Sequence, residues 1–376
     1  MATEKLKRFP LLSFYSGGGF MDMGFESAGF EIVWTNEVDK DFARLHEAGI
    51  TSWRSTRGSN TRAEIFNRNS IVDVNCEAIL NEAFPGGKPD NFGMIGGPPC
   101  QDFTMNGNRT GFQGERGRLT IVYFDRILEL LPTFFVMENV TGLVKMKSSR
   151  EYLKGLLAKV EKLYHIDYEI LNALDFGVPQ FRERVFFVGI RKDKLHLPVA
   201  QDSLGNWFKF PVDQQYFGSA KKYDWPTISK FGSKISRPRN LPRQLCVESC
   251  LVSDSNLKKI ANASEYFNLY VDEKFLKRID EGETVRPSFK RLHRFRYSPT
   301  ACYGNNEVHL HPYKNRRISV REALRIQGVA ESYVLPGDLP LTKKFKMIGN
   351  GVPVPLAEAV AKALREYLLD HRVVSE

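Results

Sequence analysis

Cysteine is scarce in this chain. Five thiols are spread over 376 residues, at Cys76, Cys100, Cys246, Cys250 and Cys302. Few, odd in number and irregularly spaced, they exclude a disulfide framework and point to a reducing compartment. Long hydrophobic runs are missing too. No apolar stretch reaches the roughly 20 residues needed to cross a bilayer, and the polar opening MATEKLKRFP does not read as a signal peptide. Internal repeats and low-complexity tracts are absent, which argues against a solenoid or a disordered chain. Acidic residues run short in one place only. Residues 1–195 carry 25 Lys+Arg against 25 Asp+Glu, residues 196–317 carry 21 against 12, and residues 318–376 carry 8 against 7. Nearly all of the net charge of +10 therefore sits in one middle segment. Such a concentration suits a phosphate backbone as partner, or a plain solvated basic surface.

What is present is strand–helix alternation. PLLSFYS, EIVWTNEVD, NFGMIGGPP, PTFFVMENV, IDYEILNAL and RVFFVGIRK read as strands, and FMDMGFESAGF, IVYFDRILELL and REYLKGLLAKVEKL as helices between them. The pattern predicts a parallel, doubly wound α/β sheet, whose ligands bind beyond the carboxyl ends of the strands. From about residue 196 the periodicity dissolves into Pro, Ser, Asn, aromatic and basic residues, which predicts a second, smaller, irregular domain. Helix returns in SVREALRIQG and PLAEAVAKALREYLLDH. The chain thus divides near residue 196 into an alternating first part and an irregular second one.

Chemistry-bearing residues gather at the predicted strand ends. SGGG at 16–19 joins a strand to a helix, where glycines either let a ligand approach the backbone or simply make a tight turn. Glu37 ends the next strand, at the spacing where a carboxylate accepts ribose hydroxyls. The pair suggests an adenosine cofactor without deciding which. Asp73, at an expected third strand end, could accept from an adenine amino group or cap a helix. In GGPPCQDFT two prolines fix the approach to Cys100, which makes it a candidate nucleophile rather than buried filler. MENV sets Glu138 at the end of a neighbouring strand, where an acid should face a cleft. Strand period places Gln180, Arg182 and Arg184 on one face, either as surface charge or as a site for a polar heterocycle.

The stretches FYSGGGFMDMGFESAGF, GGPPCQDFT, MENV, QFRERVFFVGI, RRISVREALRIQG and MIGNGVPVPLAEAVAKAL stand in the order and spacing of the DNA (cytosine-5)-methyltransferase family, which the chain resembles over about 11–195 and 292–370. The resemblance implies a Rossmann-like catalytic and cofactor-binding domain over 1–195 plus 345–376, a target-recognition domain with its hinge over 196–344, S-adenosyl-L-methionine as cofactor and double-stranded DNA as partner. It implies a thiolate of Cys100 that adds to C6 of a flipped-out cytosine, Glu138 holding N3 and the exocyclic amine, and Arg184 with Arg182 holding O2. Gln101 and the loop to about Leu119 resemble a mobile loop that closes over DNA. The cofactor contacts it implies are Tyr15, Ser16, Gly17, Gly19, Glu37, Val38, Asp73, Val74, Pro99, Leu119 and Asn350. The sequence departs from the family with Phe20 in the glycine turn, Thr104 for the commoner serine, and a basic insert over 52–70 in the long gap between Glu37 and Asp73, either an extra DNA contact or a surface loop, and expected to be the loop. A compact chain of this kind is expected to be a prokaryotic, cytoplasmic monomer, the modification half of a restriction system whose functional partner is a restriction endonuclease.

Other readings are weighed against this one. A transfer RNA methyltransferase of similar fold would have a shorter variable segment. A binder without catalysis would not need Cys100, Glu138, Arg182 and Arg184. A nicotinamide reductase would use the glycine turn and Glu37 but not Cys100. Cys246, Cys250, His309 and His311 fit no familiar metal spacing, so no metal is expected. RPSFKRLHRFRY interleaves aromatic and basic residues, which could contact DNA or hinge and pack the smaller domain; contact with DNA is expected.

Overall fold

The computed structural model describes residues 8–58, 64–99, 117–195, 206–303 and 307–374. The first part of the chain alternates as expected: β1 (Phe9–Phe14), α1 (Phe20–Ser27), β2 (Phe30–Asn36), α2 (Lys40–Ser55), β3 (Ile65–Asn67), α3 (Cys76–Ala83), β4 (Gly93–Gly96), α4 (Gly117–Leu130) and β5 (Phe134–Asn139). It continues through α5 (Gly142–Lys145), α6 (Lys147–Val160), β6 (Tyr164–Asn172) and β7 (Glu183–Arg191). The seven strands form one sheet in the order β3-β2-β1-β4-β5-β7-β6.

The sheet is mixed rather than parallel. β7 runs antiparallel to both β5 and β6. The physical reason lies in the connection. Only residues 173–182 separate β6 from β7, and they hold a single short 3-10 turn. A parallel return needs a crossover of a dozen residues or more.

Side-chain alternation builds a core on each face. Phe134 and Val136 of β5 join Leu11, Ile32 and Val188 on one side, under α1 and the C-terminal helix α11 (Val354–Asp370). Phe135 and Met137 join Leu12, Trp34 and Phe187 on the other, under α3, α4 and α6. Helices α1 and α11 touch closely: a Cβ on Gly24 would lie 2.6 Å from the Ala357 Cβ and 2.7 Å from the Glu358 amide nitrogen. The last helix thereby completes the layer begun by the first.

A third core joins α1 and α2 to α9 (Val320–Ile326) and α10 (Leu341–Asn350) through Phe20, Leu45, Trp53, Leu324, Phe345 and Ile348. Trp53 and the last turn of α2 belong to the stretch expected to be a surface loop. Its other end carries β3, so that expectation is corrected. Burial of Trp53 and the Arg54 pairings with Glu26 and Glu64 anchor what the basic composition suggested was solvated.

Residues 206–303 contain no named strand among those described, only α7 (Ser219–Lys222), α8 (Glu273–Lys277) and short 3-10 turns around three small cores. Trp207 and Phe208 are an exception. They pack on α11, and their amides donate to Asp167 of β6 at 3.1 Å. Part of the aromatic–basic stretch at 286–297 is built into the fold. Arg291 is fully buried and donates to the carbonyls of Ile279, Leu276, His311 and Lys314, while Arg294 pairs with Glu281.

Candidate active site

The site residues lie at the carboxyl ends of four adjacent strands, β2, β1, β4 and β5, and at the start of the antiparallel β7. β1, β4 and β5 run side by side in parallel, with Phe14 opposite Gly96 and Gly96 opposite Met137. The chain segments leaving these strands are therefore neighbours, at the strand spacing of about 4.8 Å.

After β1 the backbone twists into the left-handed region at Tyr15 (φ 54), Gly17 (φ 54) and Gly19 (φ 74). Ser16 ties the turn to β2, its amide donating to the Asn36 carbonyl at 3.1 Å. Glu37, just beyond β2, grips it from the other side. Its Oε2 accepts from the Gly17 amide at 3.0 Å and its Oε1 from the Asp39 amide at 2.8 Å. Burial pushes the Glu37 carboxyl up, and the two amide donors oppose that shift. No described atom lies within 4 Å of a Cβ built on Gly17. A side chain there would fill an open cradle lined by bare backbone and a carboxylate. Open backbone beside a carboxylate suits a ligand that carries ribose hydroxyls. The Tyr15 hydroxyl donates to the Leu119 carbonyl at 3.0 Å, fixing the start of α4 beside the turn.

Glu138 stands near the end of β5 and is only 7% exposed. It lies against the turn that follows β4, where a Cβ on Gly97 would come 3.1 Å from its Oε2. Asn139 donates to the Pro98 carbonyl at 3.3 Å and locks that turn to β5. Arg184 of β7 pairs with Glu138, Nε to Oε1 at 2.9 Å, because β5 and β7 are neighbours. Burial raises the Glu138 pKa, and the cations of Arg184 and Arg182 hold it back. The result is a buried carboxyl held against a fixed positive charge.

The three side chains expected on one strand face are separated. Gln180 and Arg182 precede β7. Gln180 is fully buried and bonds to Gln327 and the Ile326 carbonyl, and it accepts from the Ala301 amide. Arg182 donates to the Gly349 carbonyl at 2.8 Å. These two stitch the sheet to α9 and α10, and Arg184 alone closes on Glu138. Cys100 and Gln101 lie outside the described residues. Pro99, the residue before them, is half-buried.

Comparison with known proteins decides what this edge belongs to. The profile of the C-5 cytosine-specific DNA methylase family matches residues 9–366. The chain belongs to that family. It is 36% identical over 381 residues to the Type II methyltransferase M.NmeDI of Neisseria meningitidis serogroup C, covering 98% of this chain and 86% of that one. It is 30% identical over 377 residues to the Type II methyltransferase M.FnuDI of Fusobacterium nucleatum, covering 97% of each. A prophage-encoded E. coli crystal structure shares the fold, with a TM-score of 0.65, 24% identity, and coverage of 96% of this chain and 99% of that one. The protein is a DNA cytosine-5 methyltransferase of the S-adenosylmethionine-dependent fold.

Within this methylase some expected contacts stand elsewhere than the sequence suggested. Asp73 ends no strand and caps no helix. β3 stops at Asn67, Asp73 sits exposed in the following turn, and Asn75 caps α3 by accepting from the Ala78 amide at 2.7 Å. The cause is the brevity of this edge strand. The Val74 side chain is buried in the core beneath α3, whereas Val38 is 58% exposed beside Glu37. Asn350 is the exposed last residue of α10, and that helix end does return to the glycine turn: Met347 occupies the space a Cβ on Gly18 would need, and Phe20 the space at Gly351. Sequence reasoning missed His46 and Tyr333, both buried beneath the turn. The only sequence signal for either was a polar residue on the apolar face of a helical pattern at His46. Among the described residues no helix is long and apolar enough to cross a membrane, and no group of three His, Cys, Asp or Glu side chains is disposed to hold a metal.

Proposed function

We propose that the chain is the modification enzyme of a Type II restriction system, acting as a monomer on duplex DNA, and that Cys100, Glu138 and Arg184 carry its chemistry. The observation that supports this most is the buried Glu138–Arg184 pair beside the Gly97–Pro99 turn, with β4 alone between β5 and the strand that leads into the glycine cradle. Gly17, Gly19, Glu37 and Tyr15 would hold S-adenosylmethionine, with Pro99, Leu119 and Asn350 at its margins. When bound, the cofactor supplies an electrophilic methyl group for C5.

The chain's own residues prepare the base. A stacked cytosine is unreachable, so it must leave the duplex, and the basic residues of 206–303 would hold the deformed backbone. The Cys100 thiolate forms a bond to C6, and the ring's displaced electron density moves toward C5. Glu138 holds a proton at N3, which keeps charge from building on the ring. Arg184 fixes the Glu138 carboxyl and orients O2. Loss of the C5 proton to solvent, return of the N3 proton to Glu138 and cleavage of the carbon–sulfur bond then release the thiolate and the aromatic base. The test is methyl transfer from labelled S-adenosylmethionine to mixed-sequence duplex DNA, with transfer RNA and a Cys100→Ser variant alongside. 5-Methylcytosine in DNA that vanishes with the variant is expected. Label in RNA would overturn the proposed substrate, and activity that survives in the variant would overturn the covalent role of Cys100.

A further inference from the structure

The glycine turn is held from beneath by two side chains that do not face its open cradle. The Tyr333 hydroxyl donates to the Gly18 carbonyl at 2.7 Å across 315 residues of sequence. Its ring is fully buried, in edge contact with Phe20 at 5.5 Å. Room for that ring is made on α2, where a Cβ on Gly49 would come within 2.1 Å of it. The second side chain is His46, also fully buried. A Cβ on Gly19 would approach its Cε1 to 2.8 Å. With the Gly17 amide on Glu37, each residue of the turn thus has its own support.

His46 is itself fixed by charge. Its Nε2 lies 3.1 Å from Glu64 Oε1 and 3.8 Å from Asp22 Oδ2. Asp22 sits in α1 and accepts from Ser13 of β1 at 2.6 Å. Arg54, on α2 like His46, pairs with Glu64 and Glu26. Arg54 therefore serves Glu64 and Glu26 but not Asp22, and a proton on His46 offsets the charge that Asp22 and Glu64 bring to it. His46 also acts electrostatically on Glu37. Losing that proton leaves Asp22 and Glu64 repelling each other under the turn.

We propose that Tyr333 and His46 are positioning residues that hold the glycine turn in its left-handed, ligand-receiving shape and so set the affinity for the cofactor without touching it. This rests on the reading that the cradle receives S-adenosylmethionine. Tyr333→Phe removes one hydroxyl and keeps the packing, so it isolates the hydrogen bond to Gly18. His46→Gln keeps a donor for Glu64 and cannot titrate.

The experiment is equilibrium binding of S-adenosylmethionine to the full chain by calorimetry from pH 6 to 9, with thermal melting of the cofactor-free protein and steady-state kinetics in parallel. Tyr333→Phe is expected to weaken binding roughly fivefold, the size of one buried hydrogen bond. Its KM for cofactor should rise to match while kcat at saturation stays put. Wild-type affinity should fall as pH rises through the titration of His46, and His46→Gln should flatten that dependence. Unchanged binding in both variants, with only the melting temperature lowered, would reduce these residues to plain core and overturn the inference alone. Failure of the wild type to bind would overturn the cofactor assignment and the inference together.

Discussion

Replacing Glu138 by Gln tests the site at its centre. The change keeps the side-chain volume and one acceptor oxygen, and removes the charge and the transferable proton. In the fold, Glu138 meets Arg184 at 2.9 Å with both side chains near 10% exposed. A hydrogen bond to a charged group contributes about 1.5–3 kcal/mol and a neutral one about 0.5–1.5, so the bond itself weakens by about 1–1.5 kcal/mol. Arg184 is also left with an uncompensated charge. Deleting one partner of a buried pair costs about 3–5 kcal/mol, which caps the total loss of stability. The catalytic effect should be larger than this bond alone explains. Losing a positioned proton donor costs about 100- to 10,000-fold in rate, or roughly 3–5 kcal/mol on the barrier. The assay is single-turnover methyl transfer at saturating DNA and cofactor, with cofactor binding and melting measured on the same sample. The expected variant is folded, binds cofactor as the wild type does, and reacts at least 100-fold more slowly. A folded variant within tenfold of the wild-type rate would refute the role given to Glu138.

Other outcomes follow from the same geometry. Gly24→Ala should destabilise the protein by about 1–3 kcal/mol through overpacking of α1 on α11, read as a lower denaturation midpoint with unchanged m-value. Exposed Lys230, Lys234, Arg237 and Arg239 make no ion pair among the described residues. Replacing any two with Gln should therefore reduce the salt dependence of DNA binding, by roughly 0.9 in the log–log slope for each phosphate no longer neutralised, whereas Arg291→Gln should instead lower stability. The buried cluster should also make stability depend on pH. Burial would raise Glu64, but His46 and Arg54 hold it down from 4.5 to about 2, so its contribution is present above pH 4.5 and lost as pH falls toward 2. Burial raises Asp22 from 3.8 to about 6, and Glu64 and Asp22 lift His46 above 6.5 against its burial, so both contributions fade as pH rises through those folded values. Denaturant unfolding at pH 5.5 and 8.5 should show wild type losing more stability at the higher pH than His46→Gln does.

What the sequence determined by itself was local and chemical. Alternation of short apolar runs with amphipathic ones dictated six of the seven strands and five of the eleven α-helices among the described residues, because side-chain period is a property of the backbone. The glycines at 17–19 and the acids at Glu37 and Glu138 marked strand ends, since bare backbone and charge are tolerated only where the sheet opens. The same motifs carried the family. What only tertiary structure decided was direction and partnership. β7 inserts antiparallel between β5 and β6 because its connection is too short for a crossover, and nothing within RVFFVGIRK encodes that. Arg182 and Arg184 are two residues apart and look alike in sequence. One reaches Gly349 and the other Glu138, because β7 begins between them. RPSFKRLHRFRY has the composition of a nucleic-acid surface, yet Arg291 is buried among carbonyls supplied by segments up to 23 residues away. Tyr333 could not be read as a support of the glycine turn at all, because the carbonyl it holds lies 315 residues earlier in the chain. Periodicity reports on neighbours along the chain, whereas these contacts depend on which distant backbone group a buried polar side chain meets when the layers close.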